Sequence, residues 1–262
     1  MSRLLEAGIL VCAVLLAFLL RNWALGVRGV LDYDETYYYI LGKNLLSGAG
    51  YTLNGLPHTA FPPLCPFLIG LADMIRPGPV KATALVSAVS GALLVLPVYF
   101  LVRDIAGRGA AVTAAFLTAC WPILFFFACR NVPYQYRTYC GSEPLFLTLF
   151  AAGVTCIWLA ARREHIGYAA VGGLCFGLAT LTRNEGTVLF LFIFLWFVYD
   201  RLVHSSCSRR LRSTQFLCTA AVFGLTLLPY VAHVHEVSGQ WGLGSKLSNF
   251  VRTRPTLKAW IR

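Results

Sequence analysis

Charge is what this sequence has least of. Only 13% of its 262 residues are Asp, Glu, Lys or Arg, against roughly 25% in an ordinary soluble domain, and the shortfall excludes a free-standing soluble fold. Acidic groups are scarcest: 11 Asp and Glu face 22 Lys and Arg, for a formal net charge of +11. The nine cysteines contain no C-x-x-C, so zinc-type ligand spacing is lacking, and most lie in apolar runs where cysteine acts as a small hydrophobe. Low-complexity tracts and internal repeats are also lacking. Disorder is excluded by the 58% of hydrophobic residues, which supply ample apolar surface to offset chain entropy. A basic excess raises the question of nucleic acid in a soluble protein. In a chain this apolar, basic residues in short loops instead fix membrane orientation and meet anionic lipid, so membrane lipid is an expected partner and nucleic acid is not.

What is present in quantity is long apolar sequence. A spanning helix needs about 20 residues at 1.5 Å rise. Residues 82–102, 109–129 and 144–161 contain no Asp, Glu, Lys or Arg. Residues 165–182, 186–203 and 213–235 complete the later set. Residues 4–25 form an earlier run, read as an uncleaved anchor because no small-x-small cleavage site follows it. The expectation is seven helices, the first over 4–25, with Arg21 at its outer interface. Residues 61–75, carrying Pro62, Pro63, Pro66 and Asp73, are short for a span and fit an interfacial or re-entrant element. If that segment does not cross, Arg103 with Arg108, Arg162 with Arg163, and Arg201 with Arg209, Arg210 and Arg212 lie with Arg3 in the cytoplasm, as the positive-inside rule asks. The same topology gathers Asp32, Asp34, Glu35, Glu143, Glu185 and Glu236 on the outer face. Carboxylates at helix ends in a membrane are costly unless paired or lining water, which makes them functional candidates.

The loop after the first helix reads D-Y-D-E-T-Y-Y-Y-I-L-G-K-N-L-L-S-G from Asp32. A short amphipathic helix is expected from Asp34, with Tyr37, Leu41 and Leu45 on one face and an end at Ser47, Gly48 and Gly50. A capped helix lying on the membrane accounts for the tyrosines. It does not account for three carboxylates within four residues, where one or two suffice for a cap. Gly173-x-x-x-Gly177 lets helices approach closely and is not a nucleotide fingerprint, since no strand precedes it.

That D-Y-D-E-T-Y-Y-Y-I-L-G-K-N-L-L run, T-A-F-P-P-L at 59–64, S-E-P-L-F at 142–146 and T-R-N-E-G at 182–186 resemble the integral-membrane GT-C glycosyltransferases. The match is to the bacterial branch of glycosyltransferase family 39, similar to protein O-mannosyltransferases and aminoarabinose transferases. The resemblance implies an all-α, polytopic transmembrane helix bundle with an amphipathic outer loop after the first helix. Residues 1–235 would form the membrane module: first helix 4–25, outer loop 26–81 with interfacial helices, then six further helices to 235. Residues 236–262 would begin an outer-side segment, since family members are usually longer, which makes this chain the N-terminal module of a longer protein or a truncated product. The implied activity is inverting transfer of a sugar from a polyprenyl-phosphate donor to a lipid, glycan or protein acceptor. It would occur on the extracytoplasmic side of a bacterial inner membrane, with the N-terminus cytoplasmic. By resemblance Asp34 is the catalytic base, with Glu35 in support.

The residues can be read for that chemistry directly. Attack of a hydroxyl or amine on an anomeric carbon needs one base, and a carboxylate at a water-lined helix end can serve. The departing lipid phosphate wants a cation, and Arg130, Arg137 and Arg183 fall on the expected outer face, although interfacial arginines also simply snorkel to headgroups. Glu143 and Glu185 begin helices, where the dipole alone favours a carboxylate. A contact between Arg183 and Glu185 would promote them to the site. His58 before the proline run is a weaker substrate-contacting candidate, as is Lys246 in G-Q-W-G-L-G-S-K-L at 239–247. Asp32-x-Asp34 alone assigns no metal, and a divalent cation stays open. Two other readings remain: a lipid-linked-sugar flippase or transporter, which would place ionisable groups near the midplane, and an inactive truncated module.

Overall fold

In lipid a backbone must satisfy its own N–H and C=O groups, and the apolar runs of this chain do so as helices. The structure, a computed structural model, describes residues 2–26, 31, 33–121, 141–203 and 209–244. Its helices are α1 (Arg3–Gly26), α2 (Tyr33–Leu46), α3 (Leu64–Ile75), α4 (Pro79–Leu93), α5 (Val95–Cys120), α6 (Glu143–Arg163), α7 (Ile166–Thr180), α8 (Glu185–Val203) and α9 (Arg209–Ser238). Between α2 and α3 a two-stranded hairpin pairs β1 (Thr52–Leu53) with β2 (Leu56–Pro57) through Asn54 and Gly55. Among the described residues, four helical stretches are long and apolar enough to cross a membrane: Leu4–Ala24, Pro79–Cys120, Glu143–Arg163 and Leu211–Ser238. The chain is an all-α, multi-pass membrane helix bundle.

Gly107 divides the stretch 79–120. Its φ of 83° lies where side-chain-bearing residues rarely go. A straight helix would hold Val95 and Ala119 about 36 Å apart. Yet Ala111, Ala115 and Ala119 share a core with Val95, Tyr99 and with Ala13 and Ala17 of α1, so the limb after Gly107 folds back along the first. These two limbs correspond to the helices expected at 82–102 and 109–129, the latter described only to residue 121.

The second half of the bundle joins α6, α7 and α9. Gly173 faces the Thr219 carbonyl and Gly177 the Thr226 side chain so closely that neither could carry a Cβ. Polar groups are then answered across the interfaces: Gln215 Nε2 donates to the Ala160 carbonyl at 2.8 Å, and Thr219 Oγ1 to that of Ala169 at 3.1 Å. The halves are joined by Thr148 Oγ1 donating to the Ser90 carbonyl (2.6 Å) and Thr155 Oγ1 to the Pro97 carbonyl (3.0 Å). Helix α8 lies outermost, with Phe190 stacked on Phe223 at 4.0 Å and Leu191, Phe192 and Tyr199 exposed, as lipid-facing residues are.

Helix α3 has 12 residues, about 18 Å of rise against a hydrocarbon core of about 30 Å, too short to span. It packs on α2, and the two cross where Gly42 meets the Pro66 carbonyl oxygen and Gly70 meets the Gly42 carbonyl, with no room for a Cβ on either. Arg21 lies near the C-terminal end of α1. It is 3% exposed, lodged against Gly91 of α4, because the missing side chain there leaves space for a guanidinium.

Candidate active site

Helix α2 begins with Asp34 and Glu35 in its first turn and carries Lys43 in its last, each charge opposing the nearer pole of the helix dipole. Leu41 is fully buried and Tyr37 and Leu45 pack against the same core, so the face expected from the i, i+4, i+8 spacing is the one that turns inward. That orientation leaves Asp34 half-buried and Glu35 with no exposure. The next turn carries Tyr38, whose ring meets Phe61 edge-on at 5.0 Å.

Three other chain segments arrive at this point. The α6 N-terminus supplies Ser142 and Glu143, and the turn between α7 and α8 supplies Arg183 and Glu185. Helix α3 supplies Cys65, its start tied to that turn by Leu64 N–H donating to the Leu181 carbonyl at 2.9 Å. Arg183 organises the group. Its Nη1 donates to Ser142 Oγ at 3.3 Å and ion-pairs with Glu143, while Nη2 reaches Glu185 Oε1 at 3.0 Å. Ser142 Oγ in turn lies 3.4 Å from the Tyr38 hydroxyl, with either as donor. Two carboxylates and a serine thus hold the guanidinium.

The electrostatics follow from this crowding. Burial raises the Tyr38 hydroxyl well above its ordinary value, helped by Cys65 and Asp34 and opposed by the Ser142 hydrogen bond and Arg183, so it stays a neutral donor. Burial also pushes the Cys65 thiol up, reinforced by Glu143 and Glu35 and opposed by Arg183. Asp34, Glu35, Glu143 and Arg183 are therefore all close enough to act on one pair of side chains on α2 and α3.

The loop at residues 47–63 packs beside these groups, with Tyr51 and Phe61 in one core with Tyr38 and Cys65. His58 is buried, stacked on Phe61 at 5.3 Å, and its Nε2 accepts from the Phe61 N–H at 3.2 Å. Burial, aided by the neighbouring His233, pushes His58 down to about 4, and the ring is neutral at pH 7. Helix α9 grips the same loop: Tyr230 donates to the Thr59 carbonyl at 2.8 Å and His233 Nε2 lies 3.1 Å from the His58 carbonyl. Asn184 Nδ2 donates to the Gly244 carbonyl at 2.6 Å, bringing the segment after α9 to the same end of the bundle.

Of the residues singled out in sequence, Asp34, Glu35, Glu143, Arg183 and Glu185 are thus brought together, and His58 packs inside the adjoining loop. Arg130, Arg137 and Lys246, with Asp32, lie outside the described residues. Sequence reasoning did not single out Tyr38, Cys65, Asn184, Tyr230 or His233. Tyr38 lies inside the D-Y-D-E-T-Y-Y-Y run and Asn184 inside the T-R-N-E-G motif, whereas Cys65, Tyr230 and His233 carry no local signal. Among the described residues no group of three or more His, Cys, Asp or Glu could hold a metal ion. With Glu143 already paired to Arg183, the described donors do not by themselves fit a divalent cation.

The profile of the family described as dolichyl-phosphate-mannose-protein mannosyltransferase matches residues 60–233. The chain belongs to that family. This places it among the membrane glycosyltransferases of the GT-C type. The dolichyl-phosphooligosaccharide-protein glycotransferase 3 of Archaeoglobus fulgidus is 25% identical over 260 residues, covering 85% of this chain and 29% of its own length. Two solved structures share the fold at 23% identity, each covering 86% of this chain. One is the archaeal oligosaccharyltransferase AglB from Archaeoglobus fulgidus in complex with an inhibitory peptide and a dolichol-phosphate, with a TM-score of 0.63 and 29% of that chain covered. The other is the Archaeoglobus fulgidus oligosaccharyltransferase in complex with Zn and sulfate, with a TM-score of 0.64 and 31% covered. The chain spans less than a third of the length of these relatives.

Proposed function

We propose that this chain carries the catalytic end of a glycosyltransferase that takes a sugar from a polyprenyl-phosphate donor and passes it, with inversion, to a lipid, glycan or protein acceptor. Residues 1–235 are its membrane module, and residues 236–262 begin an outer-side segment. The observation that supports this reading most is the meeting of Asp34, Glu35, Glu143 and Arg183 at one end of the bundle. The relative solved with a dolichol-phosphate supports the donor class.

In this mechanism the Asp34 carboxylate takes the proton of the acceptor hydroxyl or amine as the acceptor attacks the anomeric carbon. The bond from that carbon to the phosphate oxygen breaks, and its electron pair leaves on the phosphate. A single displacement inverts the anomeric centre. Glu35, buried beside Asp34, supports the base. Arg183 meets the growing phosphate charge, since its guanidinium has more N–H donors than Ser142, Glu143 and Glu185 accept from. Glu143 and Glu185 hold it in place, and Arg130, Arg137 and Lys246 are further phosphate ligands. His58 shapes the substrate-side loop. The active site faces the extracytoplasmic side of a bacterial inner membrane, with the N-terminus in the cytoplasm.

Native mass spectrometry of the purified complete protein tests the donor assignment. Co-purified polyprenyl phosphate or its glycosylated form, reduced in Arg183→Lys, is the expected result. Bulk phospholipid alone would contradict it.

A further inference from the structure

The end of the bundle remote from Asp34 carries a second cluster of charge. Glu6 lies about 30 Å from the far end of α1. It is 6% exposed and accepts from the Tyr99 hydroxyl while pairing with Arg103 Nε at 3.0 Å and Arg108 Nε at 3.4 Å. Beside it Asp104 accepts from Trp158 Nε1 at 2.8 Å and faces Arg162 Nε at 3.6 Å and Arg163 Nη2 at 4.0 Å. Arg163 also donates to the Tyr168 hydroxyl at 3.0 Å. A cavity of about 190 Å³ opens among Phe100, Arg103, Asp104, Leu159 and Arg163.

Four guanidinium groups here answer two carboxylates, an excess of two positive charges. The arginine side chains are 38–61% exposed, so the carboxylates orient them without enclosing them. Guanidinium forks match phosphate oxygens in pairs. The cavity wall is apolar where Phe100 and Leu159 line it, and Ile105, next along α5, is exposed. A phosphate with an attached apolar chain satisfies both halves.

We propose that this corner binds the phosphate headgroup of an anionic glycerophospholipid from the leaflet at that end of the bundle. Arg103 and Arg163 meet the phosphodiester, and Phe100, Leu159 and Ile105 meet the upper acyl chain. A free phosphate offers the same oxygens without the chain.

The test is native mass spectrometry of the detergent-solubilised complete protein, titrated with phosphatidylglycerol, with phosphatidylcholine of the same acyl chains, and with inorganic phosphate. Phosphatidylglycerol is retained preferentially, and Arg163→Gln weakens retention about fivefold, the effect of one interfacial arginine. Asp104→Asn strengthens retention, because it removes an opposing charge while Asn still accepts from Trp158. A folding defect would move both variants the same way, and that result overturns the site. Equal retention of the two lipids, displacement by millimolar inorganic phosphate, or loss of retention in Arg183→Gln at the other end overturns it too.

Discussion

The Tyr38 hydroxyl lies 3.4 Å from Ser142 Oγ, joining helix α2 to the start of α6. Because Ser142 also receives Arg183 Nη1 at 3.3 Å, Tyr38 of α2 and the guanidinium of the α7–α8 turn are linked by one short relay through the Ser142 hydroxyl. Tyr38→Phe keeps the ring on Phe61 and removes only the hydroxyl. We expect it and Ser142→Ala each to cost about 1 kcal/mol, and the double variant to cost little more than either alone. Thermal unfolding in detergent measures the cycle. Fully additive losses would show that the two hydroxyls are not coupled.

The three partners of Arg183 are unequal. Glu185 is 61% exposed and Glu143 only 31%. Glu185→Gln should therefore cost less than about 1 kcal/mol, and Glu143→Gln about 2 kcal/mol. Arg183→Lys cannot reproduce the fork and should lower transfer by about tenfold or more while the protein still folds. Denaturation midpoints and initial rates measured on the three variants check the order, which reverses if Glu185 is the principal partner.

Gly42→Ala separates packing from chemistry. Its new Cβ would fall on the Pro66 carbonyl and the Gly70 nitrogen, both backbone atoms. Helices α2 and α3 must then part, at about 1–3 kcal/mol, despite alanine's better helix propensity. Gly8→Ala on α1, where nothing lies within 4 Å, should instead be neutral or mildly stabilising. Equal melting temperatures for the two variants would contradict the close crossing.

His58 gives the loop a pH dependence with a definite sign. The folded protein holds its pKa at about 4, below the ordinary value of about 6.5, so the unfolded chain binds the proton more readily. Stability from this group is full above pH 6.5, falls as the pH drops toward 4, and is flat below that. Protonation also turns Nε2 from an acceptor of the Phe61 N–H into a second donor facing it. The loss is on the order of 2 kcal/mol after allowance for solvent screening. Subtracting the pH profile of His58→Gln isolates it from carboxylates that titrate nearby; identical profiles would refute it.

Much of the architecture was legible because lipid demands long charge-free helices. The expected first helix at 4–25 and the span at 144–161 differ from α1 and α6 by no more than two residues at either end. The short 61–75 segment announced itself through its prolines, and Gly173-x-x-x-Gly177 through its spacing. The hairpin at Asn54 and Gly55 went unread, although Asn-Gly is a turn signal. The burial of Arg21 was not legible, because it depends on Gly91, seventy residues away. The pairing of Glu6 with Arg103 and Arg108, and of Asp104 with Arg162 and Arg163, left no trace in sequence: each acid stands alone within its run, and packing of α5 on α1 and on α6 brings it to its arginines. Asp34, Glu35, Arg183 and Glu185 were legible as motif residues. The roles of Tyr38, in the same run, and of Cys65 were not, since they come from contacts between distant segments.

The most direct measurement is the initial rate of sugar transfer from a polyprenyl-phosphate donor by the complete protein and by its Asp34→Asn variant, with donor retention followed in parallel. If Asp34 is the base, transfer falls by at least about 10² while folding and donor retention persist. Transfer at the wild-type rate from Asp34→Asn would contradict the account.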